Sequence, residues 1–68
     1  MNAAADVPGK IVGIRDSARK GYKYLRWADK GLRYGLPVRA DLVKGVKVGD
    51  QIVVAAGSRE ALGVRKEG

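Results

Sequence analysis

Glycine punctuates this chain too closely for long helices. Ten of its 68 residues are glycine, about twice the ordinary ~7% share. Between the glycines lie short runs rich in branched and aromatic residues, the composition of strands. They fall at 10–15 (KIVGIR), 22–27 (YKYLRW), 32–36, 51–56 (QIVVAA) and 62–66. The run 51–56 is apolar on both faces and reads as a central, buried strand. Pro37 has no N–H to give a ladder and ends the third strand. Pro37 and Gly45 can bracket one short helix over 38–44. Residues 16–21, 28–31, 46–50 and 57–60 read as turns (Ser58 offers the alternative of one capped helical turn ending at Gly63). Residues 1–9 read as a flexible tail and 10–66 as a single domain. The fold expected is mainly β: a small five-stranded barrel, OB- or SH3-like, with at most one short helix.

Composition removes whole classes of function. The chain has no cysteine and no histidine, which excludes disulfide scaffolds, Cys/His zinc sites and histidine-based triads. Ser17 and Ser58 therefore have no catalytic base, the seven carboxylates show no catalytic spacing, and no glycine run ends as a phosphate-cradling P-loop must. The reading is of a non-enzyme without cofactor or metal. No apolar run reaches the ~20 residues of a membrane span, and the opening residues lack the basic and apolar regions of a secretory leader. A formal charge of +7 points to a polyanionic partner and a cytoplasmic, nucleoid-associated setting.

That charge is not spread evenly. Window 19–34 holds Arg19, Lys20, Lys23, Arg26, Lys30 and Arg33 against Asp29 alone, so five of the seven excess positive charges lie there. All four aromatic residues, Tyr22, Tyr24, Trp27 and Tyr34, lie there too. Cations that neutralise phosphates, interleaved with rings that stack on bases, form the composition of a nucleic-acid platform.

A four-residue loop at 28–31 would set Trp27 opposite Leu32. Arg26 then faces Arg33, Leu25 faces Tyr34, Tyr24 faces Gly35 and Lys23 faces Leu36. Strand alternation sends Tyr22, Tyr24, Arg26, Arg33 and Gly35 to one face. Leu25, Trp27, Leu32, Tyr34 and Leu36 go to the other, as core. Two arginines directly opposite repel, an arrangement that a bridging anion would relieve. Tyr24 beside a glycine leaves an open ring for stacking. The binding set expected is Lys20, Tyr22, Lys23, Tyr24, Arg26, Lys30, Arg33 and Gly35. Arg39, Lys44 and Lys47 are candidates to extend it, although Lys47 also reads as decoration of a turn. The Val46–Ile52 segment (VKVGDQI) reads as an entry into a barrel strand.

Residues 29–54 resemble the swapped-hairpin DNA-binding domains of the AbrB and MazE type. Asp29, Gly31 and Arg33 precede Leu36-Pro37, and Gly45, Lys47, Gly49 and Asp50 follow before the 51–54 strand. The resemblance implies an intertwined homodimer contacting DNA through Arg33 and its neighbours. In size, charge and β-rich layout the chain also resembles small basic chromatin proteins of archaea, which implies a monomeric barrel coating DNA.

The leading expectation is a DNA-binding protein of architectural type with weak sequence preference. DNA, double- or single-stranded, is the expected partner, with RNA also open. Neither a membrane nor a small-molecule substrate is expected. A dimeric AbrB-like regulator or antitoxin and a small RNA-binding subunit are the alternatives.

Overall fold

A computed structural model describes residues 5–67. Five strands form in chain order: β1 (Ala5–Asp16), β2 (Tyr22–Asp29), β3 (Leu32–Arg39), β4 (Gln51–Ala56) and β5 (Ala61–Lys66), with one 3₁₀ turn (Ala40–Val43) between β3 and β4. They close into a barrel in the order β1-β2-β3-β5-β4. β3 and β5 meet in parallel at a single bridge, Val38↔Ala61, while the other neighbours pair antiparallel. This is the five-stranded Greek-key layout of an OB-type barrel. Among the described residues, no helix is long and apolar enough to cross a membrane.

β1 is longer than its apolar run suggests. Residues 5–9, expected in the tail, are ladder-paired to β4 from Ala5↔Ala56 to Gly9↔Ile52; residues 1–4 lie outside the described part. The segment is short of apolar side chains, and what orders it is the open edge of β4, whose backbone groups need partners. β1 then leaves β4 for β2, and its register shifts between Ile11 and Gly13. One added residue there bends the strand and lets it serve both halves of the barrel.

The barrel closes within one chain, so the swapped hairpin implied by the AbrB-type resemblance is not the arrangement adopted. The residues that carry that resemblance have local work instead. Asp50 Oδ2 accepts a 3.0 Å hydrogen bond from the Lys47 N–H, and Gly49 takes φ +97° in the same turn. The turn leads directly into β4, and its Gly49 N–H and Asp50 carbonyl both bond to Ile11 of β1.

The β2–β3 connection is tighter than expected. Asp29 pairs with Leu32, leaving only Lys30 and Gly31 as the turn, with φ 50° and 83°. Positive φ at both positions is the signature of a type I′ hairpin, whose twist suits the flanking strands. The register therefore moves by two residues from the four-residue-loop expectation. An even shift keeps the expected parity of each side chain but changes its partner; Leu32, expected in the core, lies at the hairpin end and is 61% exposed. β3 also runs on through Pro37 to Arg39. Proline is tolerated because β3 makes only the one bridge to β5, so no ladder bond to that side is lost.

The core is Ile11, Leu25, Trp27, Val38, Val43, Ile52, Val54 and Ala61, with no buried polar or charged residue among the described residues. Each large apolar side chain contributes roughly 1.5–3 kcal/mol by its burial. Trp27 is 1% exposed and stacks on Tyr34, its cross-strand partner, at 5.4 Å between ring centroids. Gly9 makes room for it: a Cβ there would stand 2.7 Å from both Trp27 Cδ1 and the Ala28 carbonyl oxygen. Among the described residues, the indole Nε1 has no hydrogen-bond partner.

Candidate nucleic-acid interface

The outer face of β1, β2 and β3 can be read row by row from the ladders. The rows are Lys10–Ala28–Arg33, Gly13–Arg26–Gly35, Arg15–Tyr24–Pro37 and finally Tyr22–Arg39. Lys10, Arg15, Arg26, Arg33 and Arg39 are exposed. No carboxylate occurs in any row. Small residues fill the spaces between the long ones, so the surface is low in relief.

Arg26 and Arg33 are diagonal neighbours, not the directly opposed pair expected. Arg26 faces Gly35 and Arg33 faces Ala28, so no like-charge clash needs relief by an anion. Arg26 has glycine on both flanks, Gly13 and Gly35, which leaves its guanidinium unobstructed. Tyr24, 37% exposed, faces Pro37 and leans diagonally across Gly35. A Cβ at Gly35 would come within 2.5 Å of the Tyr24 hydroxyl oxygen and 3.0 Å of Cζ, so only glycine lets the ring lie down on the sheet. Tyr22 is half-buried, with the Arg19 guanidinium 4.0 Å from its ring centroid. That cation–π contact occupies one ring face. The β1–β2 turn that carries Arg19 and Lys20 is held by the Arg19 N–H bond to Ser17 Oγ and by the Tyr22 N–H bond to the Arg19 carbonyl.

Lys20 and Lys30 are exposed at the two turns flanking β2. Lys23 is not on the platform. It shares the inward parity of Leu25 and stands at the barrel rim, 2.7 Å from Asp16 Oδ1. That hydrogen bond, and then the lysine charge, hold the Asp16 carboxyl below its usual range. Arg39 joins the platform but lies 3.6 Å from Asp41. Lys44 and Lys47 fall in the segment after the 3₁₀ turn, outside the β2–β3 ladder.

Sequence pattern alone does not reveal Lys10 and Arg15, because local composition does not place β1 beside β2 and the alternation of β1 breaks at the bulge. The available signal was Gly13, an isolated glycine inside a strand pattern. Among the described residues, Lys10, Arg15, Arg26 and Arg33 enter no ion pair; the pairs formed are Lys23–Asp16, Arg39–Asp41, Arg65–Asp6 and Lys66–Asp50.

No known protein family matches the chain, and no curated protein or solved structure does either.

Proposed function

We propose that this barrel is a DNA-binding protein of architectural type, with weak sequence preference, that engages nucleic acid on the β1–β2–β3 face. The observation that carries the reading is the coincidence of four cations without an acidic partner among the described residues, Lys10, Arg15, Arg26 and Arg33, with a tyrosine laid flat by Gly35. Arginine forks suit phosphate oxygens, and a flat ring accepts any base face. The platform rows contain no Asn, Gln, Asp or Glu, the side chains that read adenine and cytosine edges. Phosphate contacts position without specifying, hence the weak preference. In OB-type barrels the face of strands 2 and 3 holds oligonucleotides or oligosaccharides, which also supports the reading.

The test is a titration of duplex and single-stranded oligonucleotides at several salt concentrations. The expected result is micromolar or tighter binding at low salt that weakens steeply as salt rises. Absence of binding at low salt overturns the proposal.

A further inference from the structure

Where β1 bulges, the platform is not flat. Val12, Arg26, Trp27, Ala28, Arg33 and Tyr34 line a hollow of about 290 Å³. Val12, the residue at the register shift, is 50% exposed and forms an apolar wall. Ala28 leaves the space open where a larger side chain would fill it. The stack of buried Trp27 on Tyr34 underlies the hollow, and the two arginines add a double positive charge that no carboxylate offsets among the described residues.

This combination selects its ligand by chemistry. Arginines bind phosphate by planar, paired hydrogen bonds, and the apolar wall of Val12 and Ala28 favours a flat ring over a sugar or a peptide. The volume sits at the low end of the ~300–1,000 Å³ typical of small-molecule sites, room for one ring with its phosphate. The same two arginines belong to the platform, so a strand lying there brings its bases to the mouth of the hollow. We infer that the hollow at the β1 bulge receives one unpaired nucleotide, its base against Val12 and Ala28 and its phosphate between Arg26 and Arg33. The inference rests on the platform reading. Its ligand is a nucleoside phosphate, either within a bound strand or free.

Trp27 is the chain's only tryptophan and lines the hollow, so its fluorescence reports occupancy. Three probes separate the sources: deoxyadenosine monophosphate, a short single-stranded oligonucleotide, and that oligonucleotide with a central abasic site flanked by abasic neighbours. The first two should change Trp27 emission. The abasic strand should bind with the same salt dependence but a much smaller emission change. Ala28→Leu fills the hollow without altering charge, and should weaken the monophosphate about tenfold or more, with a much smaller loss for the abasic strand. Should Ala28→Leu fail to fold, Val12→Glu, at an exposed position, places a carboxylate beside both arginines and should abolish the monophosphate response. Monophosphate binding unchanged in these variants overturns the inference, as does an absent Trp27 response while oligonucleotides still bind; the platform reading survives both results. If no oligonucleotide binds even at low salt, the platform reading fails and this inference with it.

Discussion

The barrel has two outer faces that use basic residues in opposite ways. On the β4–β5 side, Arg65 reaches across β4 to Asp6 at 3.4 Å, and Lys66, which shares the inward parity of Ile52, stands at the adjoining rim 3.7 Å from Asp50. Arg65 and Pro8 flank Val53 in register, and that outward valine is only 8% exposed. Charge there is cancelled locally and the long side chains shield apolar surface, as snorkelling stems do. On the β1–β2–β3 side, Lys10, Arg15, Arg26 and Arg33 have no acidic partner among the described residues and stand among glycine, alanine and proline. Cations of one kind thus complete the fold on one face and stay available on the other. Net charge alone does not distinguish the two; pairing does.

The largest expected effect comes from removing the unpaired charge. Arg26→Ala with Arg33→Ala should weaken oligonucleotide binding at least about a hundredfold, since each lost charge-assisted hydrogen bond costs roughly 1.5–3 kcal/mol. Circular dichroism should show the fold intact, because both side chains are exposed. Next, Tyr24→Ala should cost about 1–3 kcal/mol of binding to single strands, the worth of one stacked base, with the salt slope unchanged, as measured by titration.

Gly9→Ala probes what the two faces share. Its methyl group would collide with Trp27 and the Ala28 carbonyl, and overpacking of this kind costs roughly 1–3 kcal/mol of stability. Denaturant unfolding should show that loss, and the protein that remains folded should bind as before. Arg65→Ala on the paired face should change stability by only about 0.2–1 kcal/mol, as exposed ion pairs do, and leave oligonucleotide affinity intact.

The smallest effect is a pH dependence at the rim. Lys23 holds the Asp16 pKa in the folded state below its ordinary value of 3.8. A lowered carboxylate pKa stabilises the fold above the unfolded value and loses that contribution as pH falls through the folded value. Asp16→Asn should therefore be slightly less stable than wild type at neutral pH. The difference should close below about pH 3.8, as read from denaturant midpoints at each pH.

Much of this layout is legible in the sequence. The 51–56 run is β4, 62–66 is β5 with one residue added at its start, and the outward and inward sets of β2 and β3 emerge from alternation alone. Cross-strand partners do not. They depend on whether Lys30 adopts positive φ, and a reading that grants such a conformation only to Gly31 lengthens the loop by two residues. Lys10 and Arg15 were illegible for a different reason. Their membership of the platform depends on the strand order and on one bulged residue, and local composition reports neither. Ion pairing was equally hidden: Asp6 and Arg65 are 59 positions apart, and only barrel closure brings them together.

The central claim is that the unpaired face, and not the chain's total charge, meets the polyanion. Salt dependence measures it directly, because the slope of log affinity against log salt counts neutralised phosphates. The comparison is between the wild type, Arg26→Ala/Arg33→Ala, and Arg65→Ala/Lys66→Ala, two variants that each lose two positive charges. The account predicts a slope smaller by about 1.4–1.8 for the first pair and a near wild-type slope for the second. Equal losses in slope from the paired and the unpaired cations would contradict it.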